Sequence, residues 1–140
     1  VLLGGAAEQN KGEQVKGAAP QRVLNFCGRS NLLETAWLVK HAGHIISGDT
    51  AVMHMAAAFG KTMDVVWSST IPEFGMEPYY GSQQNFPVRY RQVHDLKCRP
   101  CSKLGFKACP KGHFKCMNQI AAWNVHDKSM DGFSRPVSIV

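Results

Sequence analysis

No run of residues in this chain approaches the ~18 apolar positions of a membrane-spanning helix. No charged, then apolar, then small-residue segment of the signal-peptide kind opens it. Internal repeats and low-complexity tracts are missing, which excludes solenoid and fibrous architectures. No Ser/His/Asp set or cysteine-nucleophile context is legible, so no catalytic dyad is assigned. Acids are missing from one region. Lys97, Arg99, Lys103, Lys107, Lys111 and Lys115 fall in a stretch without Asp or Glu. Sixteen Lys and Arg against ten Asp and Glu leave a formal charge of +6, and those six residues account for all of it. Aromatics are also few there. Phe106 and Phe114 alone are thin for a base-stacking surface, so nucleic acid is not favoured as a partner. What stays open is a solvated loop, or contact with phosphorylated lipid or a membrane surface.

What is present is ordinary for a globular domain. One hundred and forty residues, 44% of them apolar, make one domain with a real core. The chain does not begin with Met, and Val1-Leu2-Leu3 is already strand-like, so the expectation is a fragment cut at an interdomain joint. Further strands are expected at Val23-Leu24-Asn25-Phe26-Cys27, at His44-Ile45-Ile46, at Met63 to Trp67 and at Val88 to Val93. Helices are expected over residues 8–18, from Asn31 to about Lys40, over 50–59 and over 117–125, with a tail over the final fifteen residues. Ser30 or Asn31 caps that helix, Asn31 with Glu34 making a capping box, and Leu32, Leu33, Ala36, Trp37 and Val39 or Lys40 give it one apolar face. Strand–helix alternation implies parallel strands with right-handed crossovers, hence an α/β, Rossmann-like sheet. Pro72, Gly75, Pro78, Gly81 and Pro87 make residues 71–87 a loop.

The richest segment is Ser47-Gly48-Asp49-Thr50-Ala51-Val52-Met53-His54-Met55-Ala56-Ala57-Ala58-Phe59-Gly60. It reads as a strand end, a glycine turn and a buried, almost wholly apolar helix, with Asp49 as N-cap and Gly60 ending it. An open helix N-terminus behind a strand is an anion pocket, which suggests a phosphate-bearing ligand.

With Lys61 added, Gly48 to Lys61 resembles the donor-site signature of family 9 glycosyltransferases, the ADP-heptose:lipopolysaccharide heptosyltransferases. Three further segments agree in order. Leu2-Leu3-Gly4-Gly5-Ala6-Ala7-Glu8 looks like the family's strand and Gly-Gly-x-x-Glu turn. Trp67-Ser68-Ser69-Thr70-Ile71-Pro72 looks like its strand followed by Gly-x-Thr-x-Pro. Cys98-Arg99-Pro100-Cys101 with Cys109-Pro110 and Cys116-Met117 looks like the cysteine-rich segment of many members. Ala51 stands where the family usually has Gly, as does Ser68, and Thr62 stands in place of Pro.

The resemblance implies the C-terminal half of a two-domain GT-B type glycosyltransferase. Residues 1–95 would be the Rossmann-like nucleotide-sugar-binding domain, 96–117 a Cys-rich, basic loop insertion of it, and 118–140 a closing helix and tail. Asp49 would hold the sugar hydroxyls of an ADP-heptose-like donor, which makes it the candidate catalytic residue. Thr50 and the amides of Thr50, Ala51 and Val52 would hold the diphosphate, with His54 a further candidate ligand or else a hydrogen-bonded core histidine. Gly5, Glu8 and Asn10 would lie at the ribose, Gly28, Asn31 and Leu32 under the adenine, and Thr70, Pro72 and Glu73 beside the sugar. A lipopolysaccharide-type, anionic glycolipid would be the acceptor, met by the basic segment at the inner face of the inner membrane of a cytoplasmic enzyme. The general base and a phosphate-binding lysine would come from outside this chain, in the missing N-terminal domain and before Val1. The chain alone would then bind donor without turning over.

No catalytic metal is expected. Cys98-x2-Cys101 with Cys109 and Cys116 has the make-up of a structural zinc site, His113 being a substitute ligand; free or paired thiols and an iron–sulfur cluster remain alternatives. Cys27 reads as a small buried apolar residue. The rival function is a metal-stapled module that binds nucleic acid or protein through residues 97–116.

Overall fold

The computed structural model describes residues 1–82, 88–106 and 108–120. Helices α1 (Gln9–Ala18) and α2 (Leu32–His41) precede strand β1 (Ile45–Gly48). Helix α3 (Ala51–Ala58), strands β2 (Met63–Val66) and β3 (Val88–Arg91), and one short helical turn, α4 (Lys115–Asn118), follow. The three strands form one parallel sheet in the order β1-β2-β3. Ile45 pairs with Met63 and Gly48 with Val66; Met63 pairs with Val88 and Val66 with Arg91. The chain therefore has the expected α/β, parallel character, with α3 as the crossover between β1 and β2.

The core is the layer between this sheet and its helices. Val39, Ile45, Met53, Ala56, Met63, Val65 and Trp67 are fully enclosed. Small residues at Ala56 and Ala57 let α3 lie close on β1 and β2, as the alternation of the strands demands. Trp67 packs edge-to-face on Tyr90 with ring centroids 5.9 Å apart. Its indole Nε1 is buried without a partner among the described residues.

Asp64 occupies the opposite face of β2. It is 1% exposed and receives three charged or polar donors: His44 Nε2 at 2.7 Å, Arg89 Nη2 at 2.8 Å and Arg91 Nε at 2.8 Å. Burial alone would raise this carboxyl, but the bonds from His44, Arg89 and Arg91 overcome it and hold it well below the usual carboxylate range. The expected edge-like, arginine-bearing strand is β3, and its arginines serve this buried acid.

Two expected strands are not formed. Leu2 and Asn25 share one isolated parallel bridge, in which the Leu2 amide donates to Leu24 O and the Phe26 amide to Leu2 O. The side chain of Asn25 explains why the ladder stops. It accepts from the Cys27 amide at 3.0 Å and donates to Gln9 O and Glu13 Oε1, which turns the chain and docks it on α1. Cys27 is buried as expected, and burial pushes its thiol up.

The capping box of α2 forms as read. Asn31 Oδ1 accepts from the Leu33 and Glu34 amides at 2.9 and 3.0 Å, and Glu34 accepts from the Asn31 amide at 2.8 Å. Of the apolar face of α2, Val39 is fully buried in the core, whereas Leu32, Leu33 and Trp37 are 68%, 80% and 60% exposed. Most of the expected helix over 117–125 and the whole terminal tail lie outside the described residues; what is described is α4.

Candidate functional site

The C-terminal ends of β1 and β2 open into a cavity of about 750 Å³. Its polar side comprises Ser47, Gly48, Asp49 and Thr50 after β1, and Ser68, Ser69 and Thr70 after β2. Leu3, Ile46, Val52 and Val66 supply apolar surface, and Leu104, Gly105, Phe106 and Met117 close the far side. A crevice at the carboxyl ends of parallel strands is where such sheets bind ligands.

Helix α3 begins one residue later than Asp49 as cap would require. Thr50, extended at φ −145° and ψ 169°, occupies the N-cap, and its side chain makes no capping hydrogen bond. Thr50 Oγ1 pairs instead with Ser47 Oγ at 3.0 Å. Asp49 thereby becomes the residue before the cap, and a carboxylate there is misplaced for the first-turn amides. Among the described residues its Oδ2 takes only the Thr70 hydroxyl, at 3.4 Å. Among the described residues, the amides of Thr50, Ala51 and Val52 donate to nothing. The start of α3 is thus an unfilled donor cluster reinforced by the helix dipole, and it borders the cavity.

The other end of α3 is closed. Gly60, at φ +61°, donates to Ala57 O and Lys61 to Ala56 O, the paired bonds of a Schellman turn. The helix is not buried all round, as its sequence suggested. Ala51, His54, Ala58 and Phe59 form an exposed face. His54 is neither a core histidine nor a lining residue of the cavity.

Of the expected site residues, the fold brings Asp49, Thr50, Val52 and Thr70 together in the cavity. Gly5, Glu8, Asn10, Gly28, Asn31, Leu32 and Ala51 do not line it. Glu8 turns its carboxylate back onto the Gly5 amide at 2.9 Å, and the Asn31 side chain is used on α2, so both are committed locally. Pro72 is buried at the start of a 3-10 turn that also carries Glu73, outside the cavity lining.

Sequence reasoning missed the residues that close the cavity. Arg99 anchors the loop that carries them. Its Nε donates to Ser68 O at 2.7 Å, Nη1 to Val93 O at 2.9 Å, and Nη2 to Thr70 O at 2.9 Å and Gln92 Oε1 at 2.8 Å. The Cys101 amide adds a bond to Ser69 O at 2.9 Å. The available signal was an arginine placed between two cysteines of a short turn, which the charge count absorbed into a basic loop.

No two cysteines are joined in a disulfide among the described residues. Cys98 Sγ lies 3.6 Å from His113 Nε2, and Cys109 accepts the Phe114 amide, which holds its thiol below the usual value. Burial, then the neighbouring Cys98, Cys116 and Cys109, push Cys101 up. Among the described residues no three His, Cys, Asp or Glu side chains are grouped to hold a metal ion. The zinc expectation at Cys98, Cys101, Cys109 and Cys116 gains no support from this arrangement.

Comparison with known proteins points one way. Over 77 residues, 52% of this chain and 22% of the relative, the sequence is 29% identical to lipooligosaccharide heptosyltransferase 2 of Haemophilus influenzae. In fold, 85% of the chain superimposes on 35% of E. coli ADP-heptose lps heptosyltransferase II with a TM-score of 0.53, at 18% identity. The chain thus spans about a fifth to a third of the length of these proteins. The model of glycosyltransferase family 9 (heptosyltransferase) matches residues 1–104, three quarters of the sequence, and the chain belongs to that family.

Proposed function

We propose that this chain is the donor-binding part of a GT-B type glycosyltransferase, taking an ADP-sugar of the ADP-heptose kind for transfer to a lipopolysaccharide-type acceptor. The observation that carries the reading is the set of unfilled amides at Thr50, Ala51 and Val52 beside the cavity. Three peptide N–H groups and the positive end of α3 suit a diphosphate. Asp49 is an anion and repels phosphate, so its place is against the hydroxyl-bearing sugar. Hydrogen bonds from a carboxylate to sugar hydroxyls would fix the anomeric carbon for attack.

In the reaction, the acceptor oxygen displaces the nucleoside diphosphate at the anomeric carbon. Negative charge then grows on the leaving phosphate oxygen, and the amides at the start of α3 stabilise it without reorganising. This scheme draws its charge stabilisation from peptide dipoles rather than from a metal ion. The exposed lysines Lys97, Lys103, Lys111 and Lys115 belong to the segment that supplies Leu104, Gly105, Phe106 and Met117 to the cavity, and they favour an anionic glycolipid at the inner face of the inner membrane of a cytoplasmic enzyme. The general base is proposed to reside in an N-terminal domain, so that this chain binds donor without turnover.

Differential scanning fluorimetry with ADP and ADP-heptose tests the reading. At 100-fold above Kd the expected stabilisation is about 2.7 kcal/mol. No shift with either ligand, together with no heat of binding by calorimetry, overturns it.

A further inference from the structure

Resting on that donor-site reading, we infer that the Arg99–Phe106 loop is the sugar-side wall of the cavity and that Arg99 is its positioning residue. A nucleoside diphosphate sugar has a nucleoside end and a sugar end on either side of its phosphates. With the phosphates at the start of α3, one acid in the cavity decides which way the sugar lies. Asp49 turns toward Thr70, its Oδ2 3.4 Å from the Thr70 hydroxyl, so the hydroxyl-rich end lies toward Ser68–Thr70.

The loop is seated on that same strand end. Gly105 has φ +78°, and a Cβ built there would come 2.8 Å from Ser69 Oγ, so the loop backbone rests directly on Ser69. Phe106 and Leu104 follow this contact into the cavity while remaining 56% and 83% exposed. A sugar ring has an apolar C–H face and polar edges. Phe106 and Leu104 fit the face; Asp49, Ser69 and Thr70 fit the edges.

Arg99 fixes the wall relative to the floor. One planar guanidinium spans the carbonyls of Ser68, Thr70 and Val93 together with Gln92, which a lysine ammonium cannot do from a single point. Loss of the fork leaves the loop attached by the Cys101 amide alone among these bonds and lets Phe106 drift from the sugar.

Calorimetric titration of the chain with ADP-heptose and, separately, with ADP tests this in Phe106→Ala, Arg99→Gln and Arg99→Lys. Phe106 is exposed, so its variant keeps the fold; thermal midpoints monitor the other two. Each variant is expected to bind ADP-heptose about tenfold more weakly while ADP affinity stays within about twofold, and Arg99→Lys does not rescue. Equal losses for both ligands, no loss for either, or a loss for ADP alone overturns the inference and leaves the donor-site reading intact. Failure of the unaltered chain to bind either ligand overturns both.

Discussion

Asp64 and Asp49 stand fifteen residues apart in chain order, at opposite ends of the same sheet, and they are used in opposite ways. Asp64 is enclosed and fully engaged, with His44, Arg89 and Arg91 all within 2.8 Å. Asp49 is half-buried at the cavity and holds one hydroxyl at 3.4 Å. A carboxylate offers about four acceptor sites, so Asp49 keeps most of its capacity. The same residue type holds the sheet together where its partners are supplied by the fold. At the cavity, where the described fold supplies Asp49 with one hydroxyl, most of its acceptor sites stay open. The helix starts repeat the lesson: α2 is sealed by Asn31 and Glu34, and α3 is left open at the cavity.

This contrast can be broken by substitution. Asp64→Asn is expected to show the largest loss, about 3 kcal/mol in urea denaturation. Removing one partner of a buried cluster strands the others, and the two arginines, each about 30% exposed, soften that by reaching water. A loss of under 0.5 kcal/mol would mean that the cluster is replaceable. The pH dependence sharpens the point. The folded carboxyl of Asp64 titrates below its unfolded value of about 3.9, so its stabilisation is present above that pH and is lost as the solution is acidified further. Below about pH 5 and down to pH 3, thermal midpoints should fall more steeply for the unaltered chain than for Asp64→Asn, narrowing the gap between them.

Next in size is Asn31→Ala, which removes the cap of α2 and should cost about 1 kcal/mol. Circular dichroism melts give the value, and no change would show that Glu34 alone suffices. Smallest of all is Asp49→Asn, whose effect on stability should stay within about 0.5 kcal/mol. The same variant should weaken ADP-heptose about tenfold or more by calorimetry. A large stability loss there would make Asp49 a second structural acid and dissolve the contrast.

Much of this was readable from local chemistry. Asn31 with Glu34 and the glycine at Gly60 announce helix ends through bonds made within a few residues. The apolar alternation of Met63 and Val65 likewise identifies a strand. Where the reading failed, the deciding partner was distant. Asp49 is as good a capping residue as Thr50 in sequence, and only the position of Thr70, twenty-one residues on, shows which way it faces. The run Val23 to Cys27 looks like a strand until the Asn25 side chain is seen bonding α1. Periodicity correctly grouped Leu32, Leu33 and Trp37 on one face of α2, but it does not tell whether anything lies against that face. The wall at Leu104 to Phe106 depends on contacts across more than thirty residues, and no short motif encodes them.

The anchoring of that wall by Arg99 has a practical corollary. A guanidinium is not oxidised and keeps its proton across the pH range in which proteins are handled. The seam between the strand ends and the cysteine-bearing segment is therefore stitched by a group indifferent to redox conditions. Reductants, oxidants or chelators added to the chain can alter Cys98, Cys101, Cys109 and Cys116 while Ser68, Thr70 and Val93 stay held in place.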